Sequence, residues 1–407
     1  MEINKAEIGH HPGRKRRTLP ALLEVWAVST KLGLTSFGGP IAHLGYFHNE
    51  YVRRRKWIDE RSYADLVALC QFLPGPASSQ VGIGIGIIRA GWLGGLIAWL
   101  GFTLPSAVAL VLFAFLLQGF DISGAGWIHG LKIVAVAIVA QAVFSMGRNL
   151  APDRNRATIA VIAAAATLLW QTAFNQVLLI VAAGLAGMIL YRKQSSSATA
   201  ADLSVPVSRR FAFFCLAAFF GLLILLPVWS QYAGSEALSL FDSFYRSGSL
   251  VFGGGHVVLP LLEREVVPTG LISKSDFLAG YGAAQAVPGP LFTFAGYLGA
   301  MISGVQGALI ATVAIFLPAF LLIAGTLPFW NALRKNAKVQ GALMGINAAV
   351  VGILLAALYH PLWTTAVLAP ADFALASILF LLLVFWKIPP WAVVAAGAAG
   401  GMLIGLW

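Results

Sequence analysis

Charge is what this chain has least of. Asp, Glu, Lys and Arg together make up 11% of its 407 residues, against roughly 25% in soluble domains, which excludes a water-soluble globule of this length. Cysteine is almost as scarce. Cys70 and Cys215 lie in apolar stretches far apart in sequence, so they suggest neither a disulfide framework nor a metal site. No cofactor and no metal are expected. A phosphate-binding GxxxxGK[ST], a nucleophile elbow and a metal-spaced His/Glu/Asp group are also missing. Those absences argue against a membrane-embedded enzyme and against ATP-driven pumping by this chain alone.

Apolar residues fill the gap. They account for 59% of the chain, with a mean hydropathy of +0.82, and runs long enough to cross a hydrocarbon core of about 30 Å recur at 92–118, 127–146, 177–191, 211–230 and 304–330. The expected class is an all-α polytopic membrane protein in a lipid bilayer. The formal charge of +11 raises the question of nucleic acid, but its location answers no. Arg14, Lys15, Arg16 and Arg17 precede the first apolar segment, as cytoplasmic retention requires. Glu24 and Lys31 interrupt that segment and no small-residue cleavage site follows, so it is not a cleavable signal.

The sequence repeats itself. SFGGPIAHLGYFHNEYV, residues 36–52, matches VFGGGHVVLPLLEREVV, residues 251–267, at an offset of 215. Phe37, Gly38 and Gly39 fall on Phe252, Gly253 and Gly254, Pro40 on Gly255, and Glu50 on Glu265. Downstream, QFLPGP at 71–76 matches QAVPGP at 285–290, and Pro105 falls on Pro318; upstream, Lys31 falls on Arg246. Several elements in the same order mark a tandem duplication. The expected organisation is a basic cytoplasmic tail over 1–17, a first repeat over 18–192, a cytoplasmic linker over 193–210, a connecting transmembrane helix over 211–232 and a second repeat over 233–407.

One extra crossing between duplicated halves turns the second upside down. Basic residues agree: Arg148, Arg154 and Arg156 occupy the loop 147–157, whereas its partner loop 359–372 has no Lys or Arg; Arg334, Lys335 and Lys338 occupy 331–338, whereas 119–126 has none. Inverted repeats are common in secondary transporters. The same rule puts the N-terminus and the Arg-rich connection 48–62 in the cytoplasm and the C-terminus outside. Segments 18–47, 63–88 and 277–303 then read as hairpins of broken half-helices, because proline removes a backbone donor and freed backbone groups at membrane depth need protein or water around them.

Glycines ahead of a short helix leave N–H groups free, and a helix N-terminus favours anions. Lys31 and Arg246 supply full charges six residues ahead of Phe37 and Phe252, and an ionisable group in a membrane segment is a site candidate by default. Gln71 and Gln285 add amides before each Pro-Gly-Pro; Ser78, Ser79 and Thr293 add hydroxyls after it. The set suits an oxyanion. Glu50, Glu265 and His256 are candidates for a proton-coupling role, whereas His129, Lys132 and His360 lack a counterpart in the other repeat and read as packing or interfacial residues.

The duplicated FGGP/FGGGH, the paired Q-x-x-PGP and the two-repeat length resemble the chromate ion transporter family in its bacterial long-chain form, over about residues 20–406. The resemblance implies a protein of the bacterial cytoplasmic membrane that exports chromate and so confers chromate resistance, driven by the membrane potential or the proton gradient. The family's motif positions carry over to Phe37, Gly38, Gly39, Pro40 and His43, and to Gln71, Pro74, Gly75 and Pro76. In the second half they carry over to Phe252, Gly253, Gly254, Gly255, His256, Gln285, Pro288, Gly289 and Pro290. Sulfate, a tetrahedral dianion of similar charge and shape, is the alternative substrate, and an anion channel the alternative mode. A homodimer is left open.

Overall fold

A computed structural model describes residues 19–119, 125–170, 175–191, 208–252, 255–333 and 336–405. The basic tail, most of the linker, Arg334, Lys335 and the motif glycines Gly253 and Gly254 lie outside the described residues. Among the described residues there is no β-strand. Five stretches among the described residues are long and apolar enough to cross a membrane: Ala77–Gly119, Gly126–Leu150, Arg209–Ala233, Leu291–Phe329 and Ala337–Ala366. The protein is all-α and polytopic.

The first repeat runs through α1 (Leu19–Thr35), α2 (Gly39–Phe47), α3 (Glu60–Phe72), α4 (Ala77–Gly119), α5 (Gly126–Leu150), α6 (Arg154–Leu169) and α7 (Asn175–Leu190). A connecting helix, α8 (Arg209–Ala233), follows. The second repeat comprises α9 (Glu236–Ser249), α10 (Val258–Val266), α11 (Lys274–Ala284), α12 (Phe294–Thr326), α13 (Trp330–Leu333), α14 (Ala337–Ala357), α15 (Thr364–Ala366), α16 (Pro370–Val384) and α17 (Pro390–Ile404). The elements recur in the order of the sequence repeat: α1 matches α9, α2 matches α10, α3 matches α11, α4 matches α12 and α5 matches α14.

Neither α4 nor α12 is one rod. The backbone leaves helical geometry at Ala90–Gly91 and at Ser303–Gly304, with φ of 73° at Gly91 and 60° at Gly304. Eight residues of continuous helix would separate Gly86 from Gly94 by about 12 Å, yet a Cβ on either would collide with the other's backbone, and the same holds for Gly299 and Gly307. Each break is therefore a tight reversal, which in α4 folds a short arm (77–89) back on a long one (92–119).

The two long arms form the centre, since α4 packs on α12, α1 on α4 and α9 on α12. Outside them the repeats exchange partners. Helix α5 of the first repeat packs on α16 and α17 of the second, and α14 of the second packs on α6 and α7 of the first. Small residues four apart make both seams: Gly126 and Gly130 meet Gly401 and Gly397, while Gly341 and Gly345 meet Gly187 and Ala183. Between membrane helices, where water supplies no driving force, such close backbone approach provides the packing. The duplicated halves are interlocked.

Candidate functional site

Each repeat contributes two helical hairpins. In the first, α1 and the α2 segment lie side by side, because Lys31 reaches Glu50 at 3.0 Å and Arg55 reaches Glu24 at 2.9 Å; the hairpin tip is the FGG stretch. The second hairpin is α3 with the short arm of α4: a Cβ on Gly84 would meet the Leu66 side chain, so the tip is Pro74–Gly75–Pro76. The second repeat copies both, with Arg246 on Glu265 at 2.9 Å and Gly280 against Tyr297. At 1.5 Å per residue the 13 residues of α3 reach only about 20 Å, too short for a core of about 30 Å.

The four tips meet. The Gly75 N–H donates to the carbonyl of Val251 at 2.7 Å, and the Gly289 N–H donates to the carbonyl of Ser36 at 2.9 Å. Val251 is the counterpart of Ser36 and Gly289 that of Gly75, so the two bonds exchange under a pseudo-two-fold axis. Pro40 and Gly255, paired by the repeat, also face each other across it, since a Cβ on Gly255 would touch the Pro40 ring at 3.5 Å. Glycine is required at the Pro-Gly-Pro tips because φ is +114° at Gly75 and +100° at Gly289, a region closed to side chains.

Around the tips lie helix N-termini and buried polar atoms. Helix α2 begins at Gly39 with Gly38 as its cap at φ 95° and Pro40 in its first turn, and it has no side-chain cap; the short arm of α4 begins just after Pro76. Their first N–H groups have no partner within the helix. His43 is buried, with Nδ1 3.3 Å from Ser78 Oγ and its ring edge on Phe102. Its Nε2, Ser36 Oγ, Ser79 Oγ, Gln80 Oε1, Thr103 Oγ1 and Gln285 Nε2 are buried with no hydrogen-bond partner among the described residues, a costly condition that polar ligands relieve. His256 is hydrogen-bonded through Nδ1 to the Tyr281 hydroxyl at 2.9 Å. Phe37 packs on Trp391, at 6.4 Å between centroids, and Phe252 on the apolar core.

The remaining candidates stand further off. Gln71 and Gln285 are not equivalent: Gln71 is exposed and Gln285 half-buried, because α3 buries Tyr63, Leu66, Leu69 and Cys70 and residue 71 falls off that face. Thr293 Oγ1 donates to the Pro290 carbonyl at 2.7 Å, fastening the tip. Lys31 and Arg246 lie four and three residues before the ends of α1 and α9, set back from the tips, each paired with the carboxylate considered for proton coupling. Glu50 is buried and also held by Arg55 at 3.0 Å and Arg54 at 3.4 Å; Arg246 also bonds Asp242 at 3.1 Å. His129 is not a lone packing residue: it reaches Asp372 of the other repeat at 2.8 Å.

Two contributors escaped sequence reasoning. Gln80 is fully buried, and its Nε2 donates to the Pro74 carbonyl at 2.8 Å. The register that pairs Gly86 with Gly299 and Gly91 with Gly304 also pairs Gln80 with Thr293. Carrying the repeat alignment back from those glycines to the Pro-Gly-Pro would have found Gln80 in the same tip-fastening role. Ser106 lies against Gly289, where a Cβ would come within 2.9 Å of its Oγ; its counterpart is Ala319, so no paired polar signal marked it.

Comparison with known proteins gives matches over both repeats. The chain matches the family described as chromate transporter twice, over residues 23–188 and 238–402. It is 31% identical over 344 residues to a chromate transport protein of Pseudomonas aeruginosa, covering 81% of this chain and 79% of the relative. It is 26% identical over 381 residues to a chromate transport protein of Cupriavidus metallidurans, covering 92% and 90%. No solved structure matches.

Proposed function

The chain belongs to the chromate transporter family, and from that premise we propose that it is a secondary transporter that exports chromate across the bacterial cytoplasmic membrane and so confers resistance. The observation that carries this reading is the reciprocal pair of bonds, Gly75 to Val251 and Gly289 to Ser36, which gathers four hairpin tips at the centre of the molecule. Helix N-termini there offer partial positive charge to a dianion. The orphaned Ser36 and Ser79 hydroxyls and the Gln285 amide nitrogen offer donors to its oxygens. These donors form a site at the tips, with Lys31 and Arg246, each held by a carboxylate, bracing the hairpins behind it.

Direction follows from charge. Moving one elementary charge through 100 mV is worth about 2.3 kcal/mol, so an inside-negative potential favours outward movement of a dianion by about 4.6 kcal/mol per 100 mV, more than three decades of concentration ratio. Export runs with that field; sulfate uptake runs against it and needs a coupled ion. In this reading the N-terminus and the Arg-rich base of the first hairpins face the cytoplasm, the C-terminus faces outward, and the repeats are inverted.

The test is chromate movement in sealed membrane vesicles. Expected are saturable uptake into inside-out vesicles, acceleration by chromate on the far side, competition by sulfate, and loss of accumulation when the potential is collapsed. A current without trans-acceleration marks a channel instead, and transport that survives loss of the potential but stops with loss of the proton gradient overturns the potential-driven reading.

A further inference from the structure

Helix α8 has no counterpart in the first repeat, and it walls a cavity. The cavity, of about 240 Å3, lies between α7, α8, α9 and α10, lined among others by Gln176, Leu223, Pro227, Arg246, Arg264 and Glu265. It is small beside the roughly 300 Å3 and upward of pockets for drug-sized ligands. Its two arginines differ. Arg246 is engaged by Asp242 and Glu265, so its positive charge is already taken by two carboxylates. Arg264 forms no ion pair among the described residues, and its Nη2 is buried with no hydrogen-bond partner.

A guanidinium carries five N–H donors in a fixed fork and no acceptor. Leaving one of them buried and unpaired costs about 1–3 kcal/mol, more for a charged group. A ligand bearing two oxygens on one atom matches the fork. Glu263, the other carboxylate beside Arg264 on α10, does not line the cavity, and Gln176 contributes a buried amide from α7. In the first repeat the position of Arg264 is Asn49, which is exposed.

We propose that this cavity is an oxyanion-binding station built by Arg264 and Gln176, with no arginine at the matching position of the first repeat. The transport reading above bears only on where the anion comes from. Two sources share the chemistry: the tetrahedral oxyanion on its way past the tips, and the phosphate of a membrane lipid. Helix α8 lines the cavity with Leu223 and Pro227 and exposes Ile224, Leu225, Val228 and Trp229 on its other face, so an acyl chain has an apolar helix to lie against.

The experiment measures thermal stability of the purified, full-length protein in detergent with added sulfate, chromate or phosphatidylglycerol, against chloride at equal ionic strength. In the wild type, stabilisation by sulfate and chromate is expected; Arg264→Gln removes it and Arg264→Lys keeps part. Stabilisation by phosphatidylglycerol alone, equally lost in Arg264→Gln, keeps the station and assigns it to lipid. Should Arg264→Gln fail to fold, Gln176→Leu leaves every charge in place and is expected to weaken the same anion response severalfold. Unchanged responses in the variants overturn the proposal and leave water as the partner of Nη2. Because binding is read without transport, a wild type that binds sulfate through Arg264 but moves no chromate refutes the transport reading and not the station.

Discussion

Gly289→Ala tests the central geometry most directly. At φ +100° an L-residue is held well outside the left-handed well near +57°, and strain of this kind costs about 1–3 kcal/mol. Space adds to it: the new methyl would come within 2.9 Å of Ser106 Oγ and 3.3 Å of the Phe102 carbonyl. Ser106 cannot simply turn away, because its hydroxyl donates to the Thr103 carbonyl at 3.1 Å. Relief by moving the tip would break the Gly289 bond to Ser36, worth about 0.5–1.5 kcal/mol. The sum is about 2–4 kcal/mol, or more than tenfold in the population of the assembled tip. Chromate transport should fall at least tenfold at equal membrane abundance. Gly75→Ala should be milder, since its methyl meets the end of the Gln80 side chain at 3.2 Å and Ala319 at 3.5 Å. Combining Gly289→Ala with Ser106→Ala removes the hydroxyl but not the strain, so partial recovery is expected. Wild-type chromate transport in Gly289→Ala, or no recovery in the double variant, refutes the reasoning.

Two further outcomes follow from the packing. Glu50→Gln should lower thermal stability more than Glu265→Gln, because Glu50 is buried under Lys31, Arg54 and Arg55, while Arg246 keeps Asp242 when Glu265 is lost; the second change should stay within about 1 kcal/mol, and equal losses on a melting curve would contradict this. Gly130→Leu should abolish the monodisperse folded species seen by size-exclusion chromatography, because any Cβ there runs into the Gly397 backbone; an unchanged elution profile would remove the small-residue seam as the lock between repeats.

The duplication was legible because its motifs are backbone devices. Gly75 and Gly289 cannot be other residues at those φ values, so they recur in register, and the pairing of Lys31 with Glu50 recurs as Arg246 with Glu265. The apolar runs expected from 92 and 304 begin at the reversals around Gly91 and Gly304, but hydropathy alone did not show that the chain turns back there. Partner choice was hidden as well. Gly126 and Gly130 stand four apart in plain view, yet nothing local says that they meet Gly401 and Gly397 rather than a helix of their own repeat. The different burial of Gln71 and Gln285 is likewise tertiary, since the two Q-x-x-PGP motifs are alike in sequence.

The symmetry of the tips contrasts with the asymmetry of what holds them. In the first repeat Glu24 bridges Arg55 at 2.9 Å and Arg89 at 2.8 Å, and both guanidinia lie over the Trp57 ring, at 5.8 and 5.2 Å. Arg55 belongs to the base of the FGG hairpin and Arg89 to the base of the Pro-Gly-Pro hairpin, so this cluster ties the two into one body. The counterparts of Glu24, Arg55, Trp57 and Arg89 in the second repeat are Ser239, Gly270, Ile272 and Ile302, which cannot make any of these contacts. The second repeat's hairpins therefore lack this ionic bridge, and apolar packing at the same level has no comparable preferred geometry. The two halves therefore meet at equivalent tips but are braced differently at the bases of their hairpins, and it is there that the equivalence of the repeats ends.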